Sequence, residues 1–241
     1  MIKNLTFNTF PLVVHAQGPH DNKPYWKPIR DKFFSTPQRT ITLPDNLTIF
    51  TWNNGHTAMG IFEKSMAHLG LPCLILGDGI ENWENSKHKP LLTYEALKDI
   101  KTDYIMGVDS RDAILIGDPK LLLSKFTSDY NCDLLISADL MNWPNIPEFK
   151  RFEDKCAEGF NSDYKYLNSG AFIGKRKFCL EFFKVASQTK PSPKAPKADQ
   201  GIFKRIFMKY YPKVQLDYHC DLFQNIGFVF RKTIEIIEDN E

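Results

Sequence analysis

The feature that most constrains this chain is an alternation, from residue 47 onward, between short apolar runs and segments long enough for helices. The apolar runs predict strands over Leu47–Trp52, Cys73–Leu76, Tyr104–Val108, Leu134–Ser137 and Tyr166–Gly174. The other segments predict helices over His56–Leu69 and Leu91–Ile100, from Asp118-Pro119 onward, and over Lys177–Ser187 and Asp199–Tyr210. Strands separated by helices of this length indicate an α/β fold with a mixed, mostly parallel, Rossmann-like sheet flanked by helices.

The composition is that of a globular protein, with 42% hydrophobic and 25% charged residues in a chain of 241. No apolar run approaches the roughly 20 residues that cross a bilayer, so we expect no membrane span. The start, MIKNLTFNTFPLVV, is a poor signal peptide. Five widely spaced cysteines without a CxxC pair favour a reducing, cytoplasmic location over a disulfide framework or a zinc site.

The charge is nearly balanced but unevenly distributed. A net charge of +2 argues against a dedicated polyanion binder, although lysine and arginine crowd Lys175–Lys213 and the tail Glu235–Glu241 is acidic. The Lys- and Pro-rich stretch Lys190–Lys197 predicts a flexible loop over an active site. Too little chain follows it to build a second core, so we expect a single domain.

Ligands bind at the carboxyl ends of the strands in sheets of this kind. This rule selects four candidate edges of a site, Thr51–Asn54, Gly77–Gly79, Asp109–Asp112 and Ser137–Asp139. Asp109 follows an apolar strand directly, and a sharp turn would bring Asp112 beside it to hold Mn²⁺ or Mg²⁺. On spacing alone, aspartates that only cap a turn are the better explanation.

Six motifs in one order change that balance. They are VDSRDAIL at 108–115, SAD at 137–139, WP at 143–144, YLNSGAFIG at 166–174, ADQ at 198–200 and LD…FQN at 216–225. The series resembles the glycosyltransferase domain of the procollagen lysyl hydroxylase/glycosyltransferase family and its microbial relatives. This resemblance implies a GT-A fold, a UDP-sugar donor, and Mn²⁺ held by Asp109 and Asp112. Arg111 departs from the family, which usually has an aromatic residue there.

The resemblance also implies a third metal ligand, a histidine that related enzymes carry near their carboxyl terminus. His219 is the nearby candidate, but the family's LD…FQN segment offers no ligand to carry onto it. FPLVVHAQG at 10–18 resembles instead a P-(I/V)-V-V-H-G-N-G stretch that relatives carry after FQN, which assigns His15 as the ligand. Ala16 and Gln17 depart from that stretch.

The position of His15 implies a circular permutation. Residues 1–46 would supply a strand and ligands to a nucleotide-sugar core at 47–241, with a buried strand over Leu12–Val14 that presents His15 at its end. Related glycogenin-like enzymes have a similar His-x-x-Gly…Lys-Pro-Trp run, represented here by His15, Gly18, Lys23, Pro24 and Trp26. Gly18 would let the backbone approach the diphosphate, and Lys23 would balance its charge.

Location and resemblance together assign the other candidate residues. Thr51 and Trp52 end the first strand, where relatives hold the uridine, although Trp52 is equally plausible as a core residue. Lys87 and Lys89 precede a helix and could reach phosphate, or could simply be solvated. The nucleotide-binding set also includes Ser110 and Gln200, and the sugar site includes Trp143, Asn168 and Asp199. Asp199 would contact the donor sugar or act as general base, unless it only caps its helix.

The sequence therefore predicts transfer of a hexose, glucose or galactose, from UDP-glucose or UDP-galactose to an acceptor hydroxyl on a protein, a glycan or a hydroxymethylated DNA base. Two alternatives remain open. A nucleotidyltransferase also uses paired aspartates, but TWNNG at 51–55 is not the Gly-rich basic loop typical of that class. A nucleotide-sugar-binding protein without catalysis would have the same fold, although loss of catalysis usually removes a ligand.

Overall fold

The structure, a computed structural model, describes residues 1–18, 23–56 and 59–237. Its strands are β1 (Ile2–Asn4), β2 (Val13–His15), β3 (Leu47–Trp52), β4 (Leu74–Leu76), β5 (Tyr104–Asp109), β6 (Ala113–Leu115), β7 (Leu134–Asp139), β8 (Tyr166–Lys175), β9 (Val214–Asp217), β10 (Phe223–Asn225) and β11 (Ile234–Ile236). Its helices are α1 (Trp26–Ser35), α2 (Ile61–His68), α3 (Asn85–Asp99), α4 (Pro119–Asp129), α5 (Pro147–Cys156), α6 (Arg176–Gln188) and α7 (Gln200–Tyr210).

The central sheet has six strands in the order β4-β3-β5-β8-β7-β9. The pairs β3–β4, β3–β5 and β7–β9 are parallel, whereas β8 runs antiparallel to both of its neighbours. Helices α6 and α7 pack against this sheet through β8, and α3 packs on α6. The predicted fold class, a mixed and mostly parallel α/β sheet flanked by helices, is confirmed.

The predicted strands are present, and the boundaries differ most at two helices. β5 and β7 each run on to an aspartate, Asp109 and Asp139. α2 begins at Ile61 rather than at His56, because Glu63 accepts a hydrogen bond from the Gly60 backbone N–H and caps the helix there. α3 begins at Asn85, six residues before the predicted start, because the helix includes Pro90 instead of beginning after it. Residues 57 and 58, within the predicted α2, lie outside the described residues.

The strand that carries His15 belongs to a separate, three-stranded sheet. β2 lies between β10, to which it is parallel, and β6, to which it is antiparallel. In this register His15 is opposite Asn225 on one side and Ala113 on the other. The N-terminal strand therefore exists as predicted, but it is not part of the six-stranded sheet. Its neighbours are the FQN motif and the strand that follows the carboxylate turn.

The two ends of the described chain also pair with each other. β1 and β11 form an antiparallel ribbon in which Ile2 is opposite Ile236. The backbone N–H of Ile237 continues the ladder by donating to the Met1 carbonyl at 2.9 Å. The first and last strands thus lie side by side, which places residues 1–4 beside the end of the chain.

Phenylalanine rings fill the space between β8 and the helices α6 and α7. Phe172 on β8 contacts Phe183, with ring centroids 5.3 Å apart, and Phe203 lies 5.5 Å from both Phe182 and Phe183. These side chains are fully buried. Burial of each contributes about 1.5–3 kcal/mol relative to exposure. This core fixes α7, whose first turn carries two of the predicted site residues.

The Lys- and Pro-rich segment is a loop, as predicted, but it is tied to the start of α3. Ser86 donates from its backbone N–H to the Lys197 carbonyl at 3.1 Å and from its hydroxyl to the Pro196 carbonyl at 2.8 Å. Ser192 is almost completely buried in it. Two hydrogen bonds from Ser86 therefore anchor the carboxyl end of this loop to the start of α3. Across the described ranges, no helix is both long enough and apolar enough to cross a bilayer.

Candidate functional site

Three side chains from two distant parts of the chain converge at the end of β5. His15 ends β2, Asp109 ends β5, and Asp112 directly precedes β6. His15 Nε2 lies 3.4 Å from Asp112 Oδ1 and 3.7 Å from Asp109 Oδ2. One donor atom from each of the three lies within 4.8 Å of the others, so the group could hold a metal ion. The predicted ligand set is thus brought together at one point.

The backbone explains why the turn and the histidine meet. Because β6 pairs with β2, the chain leaving Asp109 must turn within three residues to enter the second sheet. The Ala16 N–H donates to the Asp112 carbonyl at 2.7 Å, which extends the ladder past His15. The Ile226 N–H donates to the His15 carbonyl at 2.8 Å on the other side. Backbone hydrogen bonds on both edges of β2 therefore hold His15 against the turn.

Asn225, from the FQN motif, orients the imidazole. Its Oδ1 lies 2.9 Å from His15 Nδ1, and its Nδ2 donates to the Ala138 carbonyl at 2.7 Å. Since Nδ2 is committed as a donor, Oδ1 is the acceptor and His15 Nδ1 carries a hydrogen. The neutral ring then presents its Nε2 lone pair to the two carboxylates. Metal-binding histidines are typically held in this way by a hydrogen bond at the other ring nitrogen.

Gly170, in the YLNSGAFIG motif, makes room for the imidazole. A Cβ atom at this position would lie 2.1 Å from His15 Cε1 and within 3 Å of both ring nitrogens. A contact of that length is impossible without movement of the ring, which is itself 4% exposed. The glycine of the motif is therefore required by the close approach of β8 to His15.

We expect Gly170→Ala to weaken Mn²⁺ binding by about 10- to 100-fold, because it displaces a ligand without removing it. The measurement is titration of the purified variant with Mn²⁺ alone, with far-UV circular dichroism as the check on folding. Wild-type affinity in a folded variant would show that the His15 ring is not held where the structure places it.

Burial and charge act in opposite directions on the three groups. Burial disfavours the imidazolium, but the carboxylates of Asp112 and Asp109 outweigh it and raise the pKa of His15. Burial also opposes ionisation of Asp112, but His15 outweighs it and lowers the Asp112 pKa. For Asp109 burial prevails over Lys89 and His15, and its pKa is raised. Without a metal these directions favour a protonated His15 beside an ionised Asp112, and binding of a divalent cation would require the neutral ring.

Lys89 links the cluster to the start of α7. Its ammonium is 2.6 Å from Asp109 Oδ1 and 3.2 Å from Asp199 Oδ2, and lies 4.6 Å from the Trp52 ring centroid. Its side chain is 3% exposed. Burial opposes the charged form, but Asp109 and Asp199 outweigh it and raise the pKa of Lys89. The buried ammonium therefore joins two predicted site residues, whereas Lys87 is exposed on the same helix.

Two cavities flank the cluster, and Asp109, Asp112 and Asn85 line both of them. The smaller, of about 290 Å³, is lined by Trp52, Lys89 and Ser110 among others. The larger, of about 470 Å³, is lined by His15, Gly18, Trp143, Asn168, Asp199 and Gln200. Three residues predicted for the nucleotide therefore line the smaller cavity, whereas Gly18 and Gln200 of the same set line the larger cavity with the residues predicted for the sugar.

The polar side chains around the larger cavity are held by one another. Asn168 donates to Asp139 Oδ2 at 3.0 Å and accepts from the Gly170 N–H at 2.9 Å. Gln200 donates to the Trp143 carbonyl at 2.6 Å, while the Trp143 side chain is 49% exposed. Burial raises the pKa of Asp139, which is 3% exposed.

Asp139 and Asn225 are among the residues of this site to which the sequence assigns no role. Asp139 ended a candidate edge after an apolar strand, but it was not assigned a role. Asn225 was noted only as the last letter of a motif, and its contact with His15 spans 210 residues of sequence. The strand-end position was a signal for Asp139, whereas no local pattern indicates the partner of Asn225.

Four other predicted residues have polar groups engaged inside the protein. The Thr51 hydroxyl is fully buried and donates to the Val108 carbonyl at 2.6 Å, and the Ser110 hydroxyl donates to Glu63 Oε1 at 2.7 Å. Lys23 Nζ donates to the carbonyls of Ala16 and of Gly18, the latter at 2.7 Å. Gly18 has φ +89°, a conformation that favours glycine. Thr51 lines neither cavity, and its hydroxyl is engaged with the neighbouring strand β5.

The mostly parallel sheet thus presents a carboxylate turn and two adjoining cavities at its carboxyl edge. Comparison with known families assigns the chain to the class of glycosyltransferase-like domains. The PLOD GT domain family matches residues 44–240. Since this is most of the chain, the chain belongs to the PLOD GT domain family. The match contains Asp109 and Asp112, but it begins after His15.

Individual relatives share part of their length with the chain. The uncharacterized protein R699 of Acanthamoeba polyphaga mimivirus is 29% identical over 177 residues, which cover 68% of this chain and 35% of that protein. The human multifunctional procollagen lysine hydroxylase and glycosyltransferase LH3 is 30% identical over 137 residues, covering 55% of this chain and 17% of that protein. The crystal structure of mouse xyloside xylosyltransferase 1 in its apo form superposes with a TM-score of 0.39 at 11% identity, over 71% of this chain and 84% of that one. The chain thus spans only a minor part of R699 and of LH3.

Proposed function

We propose that the chain is a metal-dependent glycosyltransferase that moves a hexose, glucose or galactose, from a UDP-sugar to an acceptor hydroxyl. The observation that carries the proposal is the convergence of His15 Nε2 on Asp112 and Asp109, at 3.4 and 3.7 Å, beside two cavities. One imidazole and two carboxylates suit Mn²⁺ or Mg²⁺. Membership of the PLOD GT domain family supports the reaction class.

His15, Asp109 and Asp112 would hold the metal. When bound, a divalent cation stabilises the negative charge that grows on the β-phosphate as the anomeric C–O bond breaks. Asn225 keeps the His15 Nε2 lone pair directed at the carboxylates. The Lys89 ammonium donates to Asp109 Oδ1, the carboxylate oxygen other than the one near His15, and so holds Asp109 in place. The protein thus supplies a ligand set whose members are each oriented by a neighbour.

The adjoining cavities suit the two halves of the donor. The smaller cavity, with the Trp52 ring and the Lys89 ammonium, would take the nucleotide, and the larger would take the hexose. Trp143 would form an exposed wall of the sugar cavity and Asn168 would lie on its strand side. Asp199, which is 4% exposed, would contact the donor sugar or, in an inverting reaction, take the proton of the acceptor hydroxyl.

We also propose that the chain is a single, circularly permuted domain. His15 and Asn225 are hydrogen-bonded and lie opposite each other on parallel strands, so the segment after FQN and the N-terminal segment occupy one sheet. β1 pairs with β11, so the first and last described strands lie side by side, an arrangement that a permutation requires. The family match over residues 44–240 leaves the segment with His15 at the front.

The acceptor is proposed only by class, as a hydroxyl on a protein, a glycan or a hydroxymethylated DNA base. The family's relation to procollagen lysine modification favours a hydroxylysine-type acceptor, and the lysines of Lys175–Lys213 are compatible with a polyanion.

The wide spacing and odd number of cysteines favour a reducing compartment such as the cytoplasm.

A donor screen tests the reaction. UDP release is measured with UDP-glucose and UDP-galactose in Mn²⁺, first without acceptor and then with peptide, glycan and hydroxymethylated DNA. We expect turnover that stops with a chelator and returns with Mn²⁺. Tight UDP binding without turnover of any donor would show instead a nucleotide-sugar-binding protein. Release of pyrophosphate from a nucleoside triphosphate and a sugar phosphate would show a nucleotidyltransferase.

A further inference from the structure

One stretch of chain holds the outer wall of the larger cavity at three points. The wall is the segment 142–145, which includes the exposed Trp143. Lys194 Nζ donates to the Asn145 carbonyl at 3.2 Å, Gln200 Nε2 to the Trp143 carbonyl at 2.6 Å, and Lys204 Nζ to Asn142 Oδ1 at 2.9 Å. All three donors come from the anchored loop or from α7. The wall is therefore fixed in place although it lies in a connection between strand and helix.

The third of these contacts belongs to a buried ion pair. Lys204 Nζ lies 2.8 Å from Glu153 Oε2, and the two side chains are 0% and 1% exposed. Glu153 Oε1 accepts from the Leu167 N–H at 2.8 Å, one residue before Asn168. A buried pair of this kind adds little net stability, because desolvation cancels most of the attraction. The effect of the Lys204–Glu153 pair here is on position. Lys204 bonds Asn142 while Glu153 bonds the backbone of β8, so the pair holds Asn142 close to the strand that carries Asn168.

The ion pair determines which way the Asn142 amide points. Because Oδ1 accepts from the Lys204 ammonium, which can only donate, the amide group cannot be reversed. Nδ2 is then the end of the side chain that is free to donate. It is enclosed, and within the described part of the chain it has no hydrogen-bond partner. An unsatisfied buried donor is unfavourable, so a group other than the protein is expected to accept from it.

Asn142 lines the same cavity as Asp199 and Trp143, the predicted sugar site. An amide N–H group suits an acceptor oxygen, such as a sugar hydroxyl. A site built to bond a hydroxyl discriminates strongly against an analogue that lacks it, because the buried donor is then left unpaired. The combination of fixed orientation, missing partner and position therefore identifies Asn142 as a contact that reads the sugar.

We propose that Asn142 is a specificity-determining residue whose amide N–H group donates to a hydroxyl of the donor hexose, and that Lys204 and Glu153 are the positioning residues that aim it. The inference rests on the proposed function, since it places the hexose in this cavity. It concerns the sugar alone, so the nucleotide and metal contacts should not depend on Asn142.

The test compares the binding of UDP with that of UDP-glucose and UDP-galactose, in Mn²⁺, for wild type and Asn142→Ala. We expect Asn142→Ala to weaken binding of the preferred UDP-sugar by about 3- to 10-fold, the value of one neutral hydrogen bond, and to leave UDP binding unchanged. Donor analogues that each lack one hydroxyl identify the contact. One of them should bind wild type and Asn142→Ala equally.

The matched control is Asn131→Ala, an exposed asparagine that lines neither cavity and whose backbone carbonyl, which accepts from Gln215, survives the substitution. It should leave the affinities for UDP and UDP-sugar at their wild-type values. An equal loss of UDP and UDP-sugar binding in Asn142→Ala would show a structural role and overturn the proposal. Unchanged UDP-sugar binding, or wild type that does not bind UDP-sugar, would also overturn it. Binding without turnover would contradict the glycosyltransferase function while leaving this contact intact.

Discussion

Replacing His15 with alanine is expected to weaken Mn²⁺ binding by more than about 100-fold and to abolish UDP-sugar turnover. The imidazole is one of three protein donors in the cluster, with Nε2 within 3.7 Å of both carboxylates. Loss of a residue that only orients a metal ligand already costs 10- to 100-fold, so loss of the ligand should cost more. The measurement is titration with Mn²⁺ alone, followed by UDP release from UDP-glucose and UDP-galactose.

Two further variants make this result specific. Asn225→Ala leaves the ligand but removes its hydrogen bond, and we expect an intermediate loss of about 10- to 100-fold in Mn²⁺ affinity. His219→Ala is the control, because the His219 ring bonds the Phe160 carbonyl and is not in the cluster. It should bind Mn²⁺ like wild type. If His15→Ala bound Mn²⁺ normally and His219→Ala did not, the permuted assignment would be wrong.

Replacing Lys204 with methionine is expected to lower the free energy of unfolding by about 3–5 kcal/mol. The substitution leaves the Glu153 carboxylate buried without its counter-ion, and an uncompensated buried charge has a cost of this size. Burial already raises the pKa of Glu153 and lowers that of Lys204, in each case against the attraction of the other. Urea denaturation monitored by circular dichroism gives the change.

The exposed pair of Lys27 and Asp31 provides the control. Its side chains are 75% and 50% exposed, so Lys27→Met should change the free energy of unfolding by less than about 0.5 kcal/mol. Adding Glu153→Gln to Lys204→Met removes the unpaired charge and should recover part of the loss. A loss below about 1 kcal/mol in Lys204→Met would contradict the prediction. It would mean that the buried Glu153 side chain is tolerated without the Lys204 ammonium beside it.

Local patterns were sufficient for the elements of the sheet. Leu47–Trp52 is a strand with the predicted boundaries, because a run of six apolar or β-branched residues is typical of an interior strand, and β3 lies between β4 and β5. Asp118 caps α4 as predicted, with its carboxylate accepting from the Lys120 N–H at 2.7 Å. Patterns were insufficient where a proline or a glycine allowed two starts, as at α3 and α2. The cap formed by Glu63 decides the start of α2, and Ser86 bonds the distant Lys197 carbonyl in the first turn of α3.

Motif order was sufficient for the family and for the metal-ligand candidates, since Asp109, Asp112 and His15 lie together in the structure. Residue type was a weaker guide to the surrounding contacts. Thr51 satisfied the expectation of a polar group at a strand end, yet its hydroxyl bonds the neighbouring strand. Lys89 was expected to face phosphate, and it lies between two carboxylates. A side chain's partner is set by what folds against it, which its own position does not specify.

The sequence by itself determined an α/β sheet, the family, and a carboxylate turn at the carboxyl edge. The tertiary structure alone decided that β2 lies between β10 and β6, that Asn225 orients His15, and that Lys204 and Glu153 aim Asn142. The physical reason is that periodicity reports whether a segment is buried, whereas partners 210 residues apart, such as His15 and Asn225, are chosen by the packing of the whole chain.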